Sequence, residues 1–246
     1  MTALDLLRKS VHAFGELIWP RRCLLCEVPM SDASSPHCLC PSCETALSRD
    51  QFQTCHRCAS SVGPHTNLDE GCLRCRTTRF HFNSAIRMNL YDGKMRDAIL
   101  RMKHLQGEVL AETLGLLWSS TKLDTLKQSD PQVIVPIPLH RWRRWQRGYN
   151  QSEALARGLA IGMRIPLNRW VLRRIRPTPP QTAMTADGRR KNVLDAFQTT
   201  RLTSVAGLRI LLVDDVLTTG ATADAAATVL RAAGAAQVHV AVLAHR

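Results

Sequence analysis

The 246-residue sequence has no uninterrupted apolar run of the ~18 residues that a membrane-spanning helix needs, so no membrane span is expected. It has no G-x-x-x-x-G-K-[ST] stretch, which removes a P-loop nucleotide site from consideration. No small-residue cleavage site follows the opening stretch MTALDLLRKSVHAFGELIWP. Within it Leu4, Leu7, Val11, Phe14 and Ile18 recur at helical spacing, and Asp5, Arg8, Lys9 and Glu16 interrupt them. This predicts a docked amphipathic helix over 1–20 rather than a signal peptide, and a cytoplasmic location. Acids are scarce in one region: between Arg141 and Lys191, thirteen Lys and Arg stand against only Glu153 and Asp187. Most of the formal net charge of +13 therefore sits there, beside Trp142, Trp145, Tyr149 and Trp170. A polyanion partner is expected for this segment, with a generally basic surface as the plain alternative.

No cysteine occurs after residue 75, and all nine lie between Cys23 and Cys75. Eight of them form four C-x-x-C pairs: Cys23 with Cys26, Cys40 with Cys43, Cys55 with Cys58, and Cys72 with Cys75. Thirteen residues separate the second pair from the first and the fourth from the third, so one unit occurs twice in tandem. Two tight C-x-x-C turns can complete a tetrahedral S4 site, which suits zinc. With every position filled by protein, both zincs should be structural, and metal should supply much of the folding energy where large apolar residues are few. Cys38 is the odd thiol, and taking it in place of Cys40 would turn the pair into C-x4-C. Cys40 is the preferred ligand. A redox dithiol is the alternative for the whole module.

Beyond Cys75 the pattern changes. Strands are predicted over 84–91, 131–136, 207–216 and 238–244, and helices over 93–105, 107–120, 150–163 and 221–235. The stretch 173–191, rich in Pro, Thr and Arg, reads as a long exposed loop. Nearly continuous apolar strands alternating with helices predict an α/β fold with a parallel sheet covered on both faces. The segment RILLVDDVLTTGATADAA (209–226) places Asp214 and Asp215 at the carboxyl end of such a strand, where open α/β sheets bind ligands. Thr218, Thr219, Gly220, Ala221 and Thr222 then lead into a helix N-terminus, a cradle for phosphate, with a strand-to-helix turn carrying capping residues as the plain alternative. Carboxylates beside a phosphate must face something else: a sugar diol or a divalent cation. A ribose 5-phosphate ligand with Mg2+ satisfies all three features.

The run VDDVLTTGAT (213–222) resembles the phosphoribosyl pyrophosphate (PRPP) signature of type I phosphoribosyltransferases. The whole chain is similar to the ComF/GntX family, in which a double zinc ribbon precedes such a domain. Further matches are PIPLHRWRRWQRGYNQSEALA (136–156), Tyr91 to Lys103, Gln181, and R-x-x-N at Arg189 to Asn192. The likeness covers nearly all of 15–246, and the extra Cys38 is its departure. It implies a zinc-ribbon module over 21–80 and a phosphoribosyltransferase-like domain over 81–246. It also implies that Asp214 and Asp215 take the ribose hydroxyls, directly or through Mg2+, and that 218–222 holds the 5′-phosphate. Arg147 and Asn150 would meet pyrophosphate, as would Lys103 and, from a lid over 173–191, Arg189. For Lys103 and Arg189 surface solvation is the alternative, and for His140 a structural hydrogen bond is favoured over catalysis.

Two functions follow from the likeness. One is a competence protein that binds PRPP or a related ligand and contacts single-stranded DNA as it enters the cytoplasm, with a competence helicase as a partner. The run Arg141, Trp142, Arg143, Arg144, Trp145 and Arg147 supports it, because interleaved Arg and Trp neutralise phosphates and stack bases. Burial of both tryptophans between sheet and zinc module is the rival. The other function is a Mg2+-dependent phosphoribosyltransferase, amidophosphoribosyltransferase-like, of unknown acceptor. No general base and no purine or pyrimidine pocket stands out in the sequence.

Overall fold

The computed structural model describes residues 21–30, 35–176, 195–200 and 203–246. The helix expected over 1–20, and Gln181, Arg189 and Asn192, lie outside the described residues. In chain order the elements are α1 (Pro41–Ser48), β1 (Gln53–Thr54), β2 (Ser61–Val62), α2 (Leu73–Thr77), β3 (Ser84–Leu90), α3 (Gly93–Arg101) and α4 (Glu108–Thr121). There follow α5 (Leu123–Lys127), β4 (Val133–Pro136), α6 (Arg141–Arg147), α7 (Gln151–Met163), β5 (Leu172–Arg174), β6 (Phe197–Thr199), β7 (Arg209–Leu217), α8 (Ala221–Ala232) and β8 (Gln237–His245).

Strands β3, β8, β7 and β4 pair in that order, all parallel. Side chains on β7 alternate between two cores, as the period of two along a strand requires. Leu211 and Val213 join the core beneath α3, α4 and α7, whereas Ile210 and Leu212 join that beneath α8. Both faces are thus covered, which explains why β7 and β8 read as nearly continuous apolar runs.

Helices α4 and α7 cross at two glycines. A Cβ on Gly158 would lie 2.1 Å from the carbonyl oxygen of Glu112, and one on Gly115 would lie 2.3 Å from that of Leu155. These neighbours are backbone and cannot swing aside. Gly158→Ala is expected to force the helices apart and to destabilise by about 1–3 kcal/mol or more, read as a lower midpoint in urea unfolding.

One element departs from expectation. The stretch from 173 does not begin as an exposed loop, because Arg173 and Arg174 belong to β5, paired antiparallel with β6. Leu172 and Phe197 explain it, since both are buried in the core under α8. The basic-aromatic run 141–147 forms the short helix α6, ended by Gly148 in a left-handed conformation with φ 80°.

Candidate functional site

The two cysteine quartets repeat in hydrogen bonding as well as in spacing. Cys40 donates its backbone N–H to Cys23 Sγ, and Cys72 donates to Cys55 Sγ, both at 3.3 Å. Each first turn closes through a residue with positive φ, Glu27 at 62° and Ala59 at 59°. Each second turn starts a helix, α1 or α2. Within each group the four sulfurs lie within 4.8 Å of one another. All-thiolate donors at that separation fit a tetrahedral zinc ion. Burial raises Cys23 and Cys55, but the backbone donors outweigh it and bring them down to about 6 and about 7, whereas burial keeps Cys43, Cys58 and Cys75 raised, so one thiol of each quartet is lowered in the absence of metal. Cys40 belongs to the first group and exposed Cys38 does not.

The carboxyl end of β7 gathers the second cluster. Asp214 Oδ1 accepts from Ser152 Oγ at 2.9 Å. Asp215 Oδ2 lies 3.5 Å from Lys103 Nζ and accepts from Gln151 Nε2 at 3.3 Å. Gln151 Oε1 in turn accepts from Arg147 Nη1 at 2.6 Å. Burial and the neighbouring Asp215 charge push the Asp214 carboxyl up to about 7, against the pull of Ser152 and Arg174. Burial also lowers Arg147, which the charge of Asp215 partly offsets. Asn150 caps α7 through Ser152 N–H at 3.2 Å and donates to the carbonyl of Ile137 at 3.1 Å. It thereby ties the cap of α7 to the turn after β4.

The loop from Thr218 to Gly220 runs into the N-terminus of α8, with Gly220 at φ 80° as its cap. Ala221 N–H points back to Thr219 Oγ1 at 3.4 Å. Asp214, Asp215, Lys103, Arg147 and, through its cap, Asn150 are thus joined in one network, and 218–222 directly follows the aspartate strand. Gln151 and Ser152 sit at its centre. The sequence offers them only as part of the NQSE run. Arg174 gives no sequence signal of its own, because the stretch containing it reads as loop.

Helix α6 presents the basic run. Trp142 and Trp145 are 58% and 76% exposed, with ring centroids 5.4 Å apart, which overturns their burial against the zinc module. Arg144 Nη2 approaches the buried Glu153 carboxylate at 3.5 Å, holding α6 on α7 with its tryptophans outward, and Arg169 Nη1 meets the same carboxylate at 3.0 Å from the segment after α7. His140 Nδ1 accepts from Trp142 N–H at 3.4 Å and caps the helix, a structural bond. Among the described residues no helix is long and apolar enough to cross a membrane.

Residues 147–246 match the family model described as "Phosphoribosyl transferase domain". The chain is 30% identical over 224 residues to "DNA utilization protein YhgH" of Salmonella typhi, covering 90% of this chain and 95% of that one. It is 27% identical over 223 residues to "Competence protein F" of Haemophilus influenzae, covering 89% and 94%. It is likewise 27% identical over 229 residues to "Competence protein ComFC" of Bacillus subtilis, covering 87% and 90%.

Proposed function

From the premise that the chain belongs to the ComF/GntX family, we propose that it is a cytoplasmic competence-type protein that binds PRPP, or a close ribose 5-phosphate relative, and single-stranded DNA. The observation that carries this reading is the carboxylate pair of β7 set against the phosphate-cradle loop, with Lys103, Gln151 and Ser152 on its oxygens. In this reading Asp214 and Asp215 grip the ribose diol. Amides and hydroxyls of 218–222 take the 5′-phosphate, aided by the helix dipole of α8. Arg147 meets the diphosphate, Asn150 holds the adjoining turn through Ile137 and Ser152, and Arg189, outside the described residues, is assigned to the diphosphate by the family resemblance alone. Hard carboxylate oxygens of Asp214 and Asp215 suit Mg2+, which when bound would neutralise diphosphate charge. The module boundary is drawn near residue 80, with a zinc in each quartet before it.

Helix α6 supports the second half of the reading. Its exposed tryptophans offer stacking faces worth ~1–3 kcal/mol per base, and its arginines neutralise phosphates. Arg147, on the same seven-residue helix, belongs to the aspartate network, so strand and sugar phosphate would be sensed by one element. A competence helicase is the partner the reading implies.

Calorimetric titration with PRPP and Mg2+, with and without an oligo-dT strand, tests the whole reading. Micromolar PRPP binding and salt-sensitive oligo-dT binding are expected, and a chain that binds neither would sink it. Trp142→Ala with Trp145→Ala is expected to weaken oligo-dT binding about 30-fold or more while leaving PRPP affinity intact. Unchanged oligo-dT affinity would move the DNA site elsewhere.

The alternative reading is a Mg2+-dependent phosphoribosyltransferase. Asp214, held near neutrality, favours it, because a carboxyl titrating near working pH can shuttle a proton. Pyrophosphate release that never exceeds background with any amine or base acceptor, while PRPP still binds, would exclude it.

A further inference from the structure

The second cysteine quartet reaches into the loop after β7. We propose that Arg74, Phe80 and His81 are positioning residues for the loop 218–222, and that metal held by Cys55, Cys58, Cys72 and Cys75 is thereby linked to ligand affinity. The proposal rests on the reading of that loop as a phosphate cradle.

Arg74 stands between two members of the quartet, Cys72 and Cys75, on α2. Its Nη1 donates to the carbonyl of Thr218 at 3.0 Å, across 144 residues of sequence. In a planar trans peptide the C=O and the following N–H point in opposite directions. Holding the Thr218 oxygen toward the ribbon therefore turns the Thr219 N–H away from it. One donor of the cradle is thus aimed from behind by a residue of the metal knuckle.

Phe80 fixes the next residue of the loop. Its Cε1 lies 2.9 Å from where a Cβ on Gly220 would be, so the ring fills the space glycine leaves open. Phe80 is itself stacked on Phe82, with centroids 4.6 Å apart, and the Arg74 guanidinium lies 5.9 Å above its ring. Phe82 is buried in the core under α8, so this stack is anchored.

His81 acts on the helix that follows. Its backbone N–H donates to Asp224 Oδ1 at 2.5 Å, and its ring Nδ1 stands 3.2 Å from the same carboxylate. Asp224 lies in the first turn of α8, where a free carboxylate would compete with an incoming anion for the helix dipole. The ribbon segment satisfies that charge on its own side.

The quartet is in turn fastened to the sheet. Cys58 Sγ meets Ser60 Oγ at 3.2 Å, and Ser60 Oγ meets His245 Nε2 at the end of β8, also at 3.2 Å. The His56 carbonyl accepts from Ala85 N–H at 3.1 Å, and the Ala59 carbonyl accepts from Arg87 Nη1 at 3.0 Å, both donors being on β3. Displacement of the knuckle would therefore carry Arg74 away from the Thr218 carbonyl and leave the anchored Phe80 ring without its guanidinium neighbour. Linkage is reciprocal, so ligand in the cradle must also hold the metal more tightly.

The test uses the full chain and two readouts: PRPP affinity with Mg2+ by calorimetry, and zinc release to a chromogenic chelator. Arg74→Gln is expected to keep two zincs per chain and an unchanged circular dichroism spectrum, while PRPP affinity falls about tenfold. Arg74→Lys, which keeps one donor, should recover part of the loss. In the unsubstituted protein PRPP should slow release of one zinc, and Arg74→Gln should lose that protection. Wild-type affinity in Arg74→Gln, with zinc release indifferent to PRPP, would overturn the linkage and leave the cradle standing. Absence of PRPP binding in the unsubstituted protein would overturn both.

Discussion

Asp214→Asn combined with Asp215→Asn is expected to lower PRPP affinity at least about 100-fold and to raise the melting temperature at pH 8. The first effect follows from removing two charged acceptors, each worth ~1.5–3 kcal/mol. The second follows from the direction in which burial moves Asp214, up to about 7 with Asp215 beside it. A carboxyl raised in the folded state contributes stability that is present in full below its unfolded value, near 3.8, and is lost as pH rises through about 7. At pH 8 the native Asp214 carboxyl, buried and raised to about 7, is ionised and works against folding, whereas an asparagine there does not. A gain of about 2–4 °C per kcal/mol recovered is expected, with little gain at pH 4. For the unsubstituted protein, affinity for PRPP with Mg2+ should climb between pH 6 and pH 8 as Asp214 ionises. Thermal melts at the two pH values, paired with titrations, check all three. A double variant that binds PRPP normally would remove the aspartates from the site, and one that melts lower at pH 8 would contradict the electrostatics.

Stripping the metal is expected to have the largest effect on stability. A structural zinc contributes ~10–16 kcal/mol of apparent binding energy, so its loss should lower the melting temperature by on the order of 20 °C or abolish a single cooperative transition. The two quartets should not respond alike. The first is embedded in the main core with Leu25, Leu39 and Leu47. Among the described residues the second has just three partly buried apolar side chains, Val62, Leu68 and Phe80, packed against it. Cys72→Ser should therefore disorder its surroundings more than Cys26→Ser, whose thiol is exposed. Hydrogen exchange over 53–82 reads the difference, and equal protection in both variants would refute it.

The fold was legible where physical periodicity is strong. Strands β7 and β8 are buried on both faces, so their runs carry few polar interruptions, and the parallel sheet followed from that. The quartets were legible because ligand spacing is a covalent constraint that tertiary context cannot override. Helix α6 was not: it has no buried residue, and its position comes from Arg144 meeting Glu153 outside it. Strand β5 was hidden because only Val171 and Leu172 are buried beside a row of arginines and prolines. The bonds from Gln151 and Ser152 to the aspartates span more than sixty residues, and no local pattern encodes such partners. Arg74 has no sequence signal of its own, since its partner is a main-chain oxygen, which leaves no trace in side-chain identity.

Strand order also sets a timetable for synthesis. Among the described residues β3 pairs only with β8, and Ser84 meets His239 across 155 residues. At ~5–20 residues per second, β3 leaves the ribosome on the order of ten to thirty seconds before its neighbour exists. Both quartets emerge earlier still, so all eight thiols that could hold metal are made while the sheet cannot yet close.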